Sequence, residues 1–234
     1  MLMTVVVCLL FSIEVFASLP EESTLTTSID INKVERDVLL DTGALYKSIS
    51  ATYPKRFRYL DRYLGEKLKE LKQKTGRRFR TFVEVGVGHS VRTHSAPTVQ
   101  EWYWRLLRLR MQGVLAKGFY FAGIDKDPQN AAFAFGDANE IYKPKLFNPT
   151  VYGGSFSKLN EIFSEEGPID LIRALNVLIY YPTEVQAHYR SVVERVLSDD
   201  GMFVEAPTGG LSIIYKKISR ESWLLNKWFS FSLL

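Results

Sequence analysis

Apolar side chains recur in this chain with two alternating rhythms, and the alternation predicts a layered architecture before any single residue is considered. From Pro54 onward, Phe57, Leu60, Leu64, Leu68 and Leu71 return at intervals of three and four with charges between them. That spacing predicts an amphipathic helix that starts at Pro54 and ends near Gly76. Residues 79–85, FRTFVEV, form a short β-branched and aromatic run that stops at Gly86, as a buried strand would. A second helix is expected over 98–117, with Tyr103, Leu107, Met111, Val114 and Leu115 on one face and Gly118 as its stop, followed by a strand at 119–124. The stretch after Pro128 suggests a short helix, Val151-Tyr152 a third strand, and Ile169–Leu175 a fourth. A helix is expected from Thr183, as N-cap, to Leu197. Asp199-Asp200-Gly201 reads as a turn, Met202–Ala206 as a fifth strand, Thr208-Gly209-Gly210 as a turn, and Leu211–Lys217 as a sixth, antiparallel strand. The apolar tail, 219–234, fits helix or strand. Residues 18–53 show no sustained period beyond a short helical stretch at Ile31–Leu40 and read as a lead-in.

Strands alternating with helices imply parallel pairing through crossover helices, hence an α/β sheet in which ligands bind beyond the carboxyl ends of the strands. The domain is expected to span 54–234, after a leader and lead-in at 1–53. Composition supports a single large domain: 234 residues, 46% hydrophobic, 24% charged, with 15 Phe, 12 Tyr and 4 Trp to fill a core. One cysteine, Cys8, excludes an internal disulfide, and three histidines without metal-ligand spacing argue against a zinc site. No metal is expected.

Charge is unevenly spread. Residues 55–80 hold eleven Lys and Arg against Asp61, Glu66 and Glu70, so this segment is +8 within a chain of +4. Nucleic acid is a conceivable partner for such a face, but no motif for base stacking or groove insertion accompanies it, and basic helix faces are commonly just solvated. Residues 1–17 combine an apolar run with Val15-Phe16-Ala17 before Ser18, which resembles a cleavage site, yet no Lys or Arg precedes the run and Glu14 interrupts it. Export or anchoring through 1–17 therefore stands as the alternative to a cytoplasmic location, and no membrane span is expected in the main domain.

The residues with chemical potential follow the strands. After the first comes Glu84-Val85-Gly86-Val87-Gly88-His89-Ser90. Alternating glycines at a strand end permit a tight turn and a close approach of ligand to backbone. A dinucleotide fingerprint needs a third glycine where Val91 stands and an acid about 20 residues on, and a P-loop needs a Gly-Lys-Ser/Thr that is absent. Asp125 ends the next strand, where a carboxylate can accept the two hydroxyls of a ribose, while Glu84 lies near the glycine turn, where it can meet an ammonium group. Each residue also has a plainer reading: the glycines as a turn, Asp125 as an N-cap, Asn176 as a loop-backbone partner, His89 and His94 as solvated loop residues, Tyr180 and Tyr181 as packing.

On these residues the chain resembles the class I S-adenosylmethionine-dependent methyltransferases, whose first motif runs acid-x-Gly-x-Gly-x-Gly and whose second strand ends in a ribose-binding acid. Glu84, Gly86, Gly88 and Asp125 match, and Ser90 stands at the third glycine. Ile169 to Tyr181, IDLIRALNVLIYY, is similar to the fourth-strand motif of the chemotaxis-receptor (CheR-type) glutamate methyltransferases, with Asn176 through Tyr180 matching residue for residue; the arginine expected before the asparagine is Leu175, with Arg173 two positions earlier. Gly201-Met202-Phe203-Val204 suits the turn into the fifth strand of methyltransferases. The resemblance covers roughly 54–217. It implies a Rossmann-like, doubly wound, mostly parallel sheet with an antiparallel C-terminal strand, and S-adenosyl-L-methionine as cofactor. The implied cofactor-binding residues are Glu84, Gly86, Gly88, Asp125, Ser155, Phe156 and Asn176, with Ser155-Phe156 where adenine is recognised. It implies methyl transfer to an unidentified acceptor, small molecule or protein, touched by 89–100, 177–183 and 207–211; no catalytic residue is singled out. Two alternatives remain: a non-catalytic binding or regulatory protein with this fold, and a nucleotide- or NAD-binding Rossmann enzyme.

Overall fold

The computed structural model describes residues 57–87, 97–126, 150–206, 211–219 and 222–230, the last two segments, Pro97 and Ala206 as backbone. In chain order the elements are α1 (Arg58–Thr75), β1 (Phe79–Val85), α2 (Pro97–Met111), β2 (Leu115–Asp125), β3 (Thr150–Gly153), α3 (Lys158–Glu166), β4 (Ile169–Leu175), a 3-10 turn (Leu178–Tyr180), α4 (Thr183–Val196), β5 (Leu197–Ala206), β6 (Leu211–Ser219) and β7 (Ser222–Ser230). The seven strands form one sheet in the order β3-β2-β1-β4-β5-β6-β7. β1 to β5 run parallel to one another, while β6 is antiparallel to β5 and β7 to β6. The expected doubly wound α/β sheet is therefore present, closed at one side by a C-terminal antiparallel hairpin rather than by a single strand. Residues 1–56 and the region after Pro128 to 149, with the expected leader, Ile31–Leu40 helix and post-Pro128 helix, lie outside the described residues, as does the 208–210 turn.

Alternation along the strands decides which side chains meet which helices. Phe82 pairs with Phe121 and Leu171, and Leu171 with Met202; one step on, Glu84 pairs with Gly123 and Arg173, and Arg173 with Val204. This face joins the core formed with Leu60, Leu64 and Leu68 of α1 and Val99, Trp102 and Leu106 of α2. The opposite face carries Ile172, Phe203 and Glu205 in their turn. There α4 packs, and Arg190 donates hydrogen bonds to the Glu205 carboxylate at 3.2 Å.

Several expected boundaries shift for identifiable reasons. α2 stops at Met111, six residues early, because Gly113 adopts φ +69 and Val114 N–H donates back to Leu109 O at 2.9 Å. Val114 and Leu115 thus leave the helix, β2 begins at Leu115 rather than 119, and Gly118 is a strand residue. The buried face of α2 is Val99, Trp102, Tyr103, Leu106 and Leu109, whereas Met111 is 80% exposed. Thr183 is the first helical residue of α4 and Pro182 its N-cap, with no side-chain cap bond. α3 was not expected from the pattern. The Asp199-Asp200-Gly201 turn is a bulge inside β5: Ile169 pairs with Leu197 and Leu171 with Met202, so three residues are extruded beyond the usual register, and Asp200 takes φ +64. A Cβ on Gly201 would sit 2.7 Å from Ser198 O and 3.1 Å from Ile169 O, which is why glycine stands there.

Asp170 fixes the amino edge of the sheet. Its Oδ2 accepts the N–H of Arg80 at 2.5 Å and of Thr81 at 3.2 Å, and its Oδ1 accepts Ser198 Oγ–H at 2.8 Å and the Arg77 guanidinium. One buried carboxylate thereby joins the starts of β1, β4 and β5.

Candidate functional site

The strand order reverses at β1, since β2 and β3 lie to one side of it and β4 and β5 to the other. This is the switch point at which a crevice opens beyond the carboxyl ends of a parallel sheet. Gly86, next after β1, adopts φ +73 and donates its N–H to Ile124 O at 2.7 Å. Asp125 closes β2 beside Gly153 of β3, and its carbonyl accepts Gly154 N–H at 2.9 Å. Asn176, next after β4, takes φ +61, a left-handed conformation that Asn tolerates better than most residues. The turn it begins brings Val177 against Gly86, where an added Cβ would overlap Val177 Cγ2. The glycine is therefore required twice, by its positive φ and by the closeness of the turn after β4.

The structure brings Gly86, Asp125, Ser155 and Asn176 to the same edge of the sheet, each following or ending its own strand. Ser155 is buried, with its hydroxyl 3.4 Å from Tyr189 Oη. Phe156 is wholly buried and stacks on the Tyr189 ring, centroids 4.7 Å apart and planes 20° apart. One of its faces is thus taken up by the packing of α4. Tyr181 meets the same Tyr189 ring edge-on at 5.1 Å. Gly88, His89, Ser90 and His94 lie outside the described residues, as do 207–210. Among the described residues no cluster of His, Cys, Asp and Glu is arranged to hold a metal ion, and no helix is long and apolar enough to cross a membrane.

Glu84 is placed differently from the ligand-facing position that its motif implies. Its side chain lies on the α1/α2 face of the sheet, 2% exposed, with Oε2 3.2 Å from Arg173 Nε. Arg173, fully buried, also places a terminal nitrogen 3.0 Å from Asp61 Oδ1 on α1, and its guanidinium lies 4.8 Å over the Trp102 ring of α2. These contacts are close in distance yet poorly aligned as hydrogen bonds, so they act chiefly through charge. Two carboxyls share one guanidinium. Burial pushes Asp61 up to about 6 against the attraction of Arg173 and Arg105, and burial pushes Glu84 up to about 7 against Arg173, with Asp61 adding to the rise. The surplus negative charge is thus met by a proton near neutrality.

Asp61, Arg173, Trp102 and Tyr189 are the residues that motif reading missed. The signal for the first two is present in the chain: Asp61 falls on the apolar face of α1, between Leu60 and Leu64, and Arg173 interrupts a strand otherwise apolar from Leu171 to Leu175. A charge in a buried stripe calls for a buried partner.

No family model matches this chain, and no curated protein sequence matches it significantly. Among solved structures, the chain is similar to magnesium protoporphyrin IX methyltransferase (ChlM) from Synechocystis PCC 6803 with bound SAM, at 16% identity and a TM-score of 0.42, covering 84% of this chain and 95% of that one. It is similar also to a putative sarcosine dimethylglycine methyltransferase from Galdieria sulphuraria, at 18% identity and a TM-score of 0.38, covering 61% of this chain and 46% of that one. A third likeness is to the cyclopropane synthase MmaA2 from Mycobacterium tuberculosis, at 16% identity and a TM-score of 0.36, covering 60% and 41%. The chain thus matches less than half the length of the latter two. All three likenesses are loose.

Proposed function

We propose that this protein binds an S-adenosyl nucleoside at the carboxyl edge of β1, β2 and β4 and acts as an S-adenosylmethionine-dependent methyltransferase on an unidentified acceptor. The observation that carries the reading is the juxtaposition of the Gly86 turn with Asp125 at the switch point, tied by the 2.7 Å bond from Gly86 N–H to Ile124 O. Asp125 would take the ribose hydroxyls, and Ser155 and Asn176 would border the base and the 5′ side. Such a ligand supplies an electrophilic methyl on a sulfonium. The protein's part is then to align the acceptor and exclude water, which proximity and orientation can make worth roughly 7–11 kcal/mol. The residues fit the nucleoside part of this ligand. They do not fit its ammonium, because the Glu84 carboxylate is held by Arg173.

The sheet favours this reading over a nicotinamide enzyme. Dinucleotide-binding folds add a sixth strand in the order 3-2-1-4-5-6 to a mostly parallel sheet, whereas β6 here is antiparallel to β5 and continues as a hairpin. Val91 also stands where the dinucleotide fingerprint needs glycine. The test is calorimetric titration of the intact chain with S-adenosylhomocysteine, with NAD as the control ligand. Micromolar binding of the first alone, weakened at least about tenfold by Asp125→Ala, is the expected result. Binding of NAD alone, or an Asp125→Ala variant of unchanged affinity, would overturn it. A cytoplasmic location belongs to the same proposal, as the compartment where this cofactor is made available.

A further inference from the structure

The hold of Arg173 on Glu84 bears on which ligand the site selects, given the nucleoside site proposed above. We propose that Arg173 is the resident partner of Glu84, and that the site accordingly recognises the 5′-thioadenosine part of its ligand without discriminating for the amino-acid arm.

Three observations carry this. Glu84 and Arg173 are direct cross-strand neighbours on β1 and β4, and Gly123, opposite Glu84 on β2, contributes no side chain to compete for the carboxylate. The pairing is thus built into the register of three strands rather than into a mobile loop. Glu84 projects toward α1 and α2, where Asp61 and Trp102 complete the surroundings of the guanidinium. An incoming ammonium could engage Glu84 only by displacing a wholly buried arginine from a carboxylate that is itself 2% exposed and turned toward α1 and α2. Finally, the surplus carboxyl of the cluster is neutralised from within by a proton, so no uncompensated negative charge is left to attract a second cation. Glu84 is therefore a structural residue: paired with Arg173, it anchors the end of β1 two residues before the Gly86 turn.

The experiment compares S-adenosylhomocysteine with 5′-methylthioadenosine, which lacks the amino-acid arm, by calorimetry on the intact chain and on Glu84→Gln at pH 6. The two ligands are expected to bind the unaltered chain within about threefold of each other, and Glu84→Gln to leave both affinities within about threefold, its fold verified by circular dichroism. A preference of about tenfold or more for S-adenosylhomocysteine in the unaltered chain, or a selective loss of that ligand in Glu84→Gln, overturns the proposal. Failure of both ligands to bind the folded, unaltered chain removes instead the nucleoside-site reading on which it stands. A Glu84 that met the ammonium would lose affinity for S-adenosylhomocysteine alone on substitution and so move the ratio of the two affinities, which is the deciding readout.

Discussion

Replacing Arg173 with methionine probes the buried cluster most directly. The guanidinium stands 3.0 Å from Asp61 Oδ1 and 3.2 Å from Glu84 Oε2, and is fully buried. With charge centres roughly 4 Å apart and an effective dielectric near 20, each attraction is about 4 kcal/mol, against desolvation costs of several kcal/mol per ion. The intact cluster is therefore close to break-even, but removal of its cation alone leaves two carboxyls buried without compensation. At pH 8 the expected loss is about 3–5 kcal/mol. At pH 5 both carboxyls are largely protonated already, because burial holds Asp61 near 6 and Glu84 near 7, so the same substitution exchanges one buried cation for a thioether and the loss falls to about 1 kcal/mol or less. The groups facing the cluster besides its own members are Arg105 and Glu101 of α2. Urea unfolding at pH 5, 6, 7 and 8 measures the difference. A loss that is equal at pH 5 and pH 8, or below about 1 kcal/mol at pH 8, would refute the account of a charge-bearing cluster.

Further outcomes follow from the same geometry. In the unaltered chain, Asp61 and Glu84 have folded-state pKa values above their ordinary 3.8 and 4.5; their contribution to stability is complete below about pH 4 and is lost as pH rises through 6 to 7, by up to about 3 kcal/mol for each carboxyl. Glu84→Gln should flatten that slope while costing less than about 1 kcal/mol at pH 8, since it leaves one carboxylate for one guanidinium; a steeper slope would count against it. Asp170→Ala should cost at least about 3 kcal/mol in urea unfolding, because Thr81 N–H and Ser198 Oγ lose their buried acceptor, together with Arg80 N–H and Arg77; a loss under about 1 kcal/mol would show the latch to be dispensable. Gly86→Ala should destabilise by about 1–3 kcal/mol through its φ of +73 and its overlap with Val177. Adding Val177→Ala should recover the steric part, and strict additivity in that double-mutant cycle would exclude the contact as the cause.

What could be read from the chain was what its local rhythm controls. β1 and β4 end where their apolar runs end, at Val85 and Leu175, because both are interior strands whose faces are each covered by helices. Leu115 misled for the opposite reason. Leu107, Met111 and Leu115 keep a helical interval, but Gly113 reaches the left-handed region at no steric cost and converts the last of them into the first residue of β2. The same blindness hid the bulge in β5, where Asp199-Asp200-Gly201 has the composition of a turn and the pairing of a strand. Whether such a sequence reverses the chain or merely arches it depends on the neighbouring strand, which in this sheet is β4.

The site shows a sharper division between what a motif states and what its residues do. Gly86 and Asp125 lie where the spacing put them, since a turn after β1 and a residue at the end of β2 are set by strand ends, which the pattern locates. Glu84 occupies its motif position as well, two residues before the glycine, yet its chemistry is decided by Arg173, 89 residues away in sequence and adjacent across the sheet. No local spacing contains that fact. What the sequence does contain is an arginine inside a strand that is buried on both faces and an aspartate on the apolar stripe of α1, two anomalies whose charges must be compensated somewhere. One guanidinium and two carboxyls leave one carboxyl over, and a parallel register of β1 with β4 that pairs position 84 with position 173 brings the acid of the motif into that account. Read in this order, the buried arginine predicts its own partners, and the apparent ligand-binding acid becomes one of them.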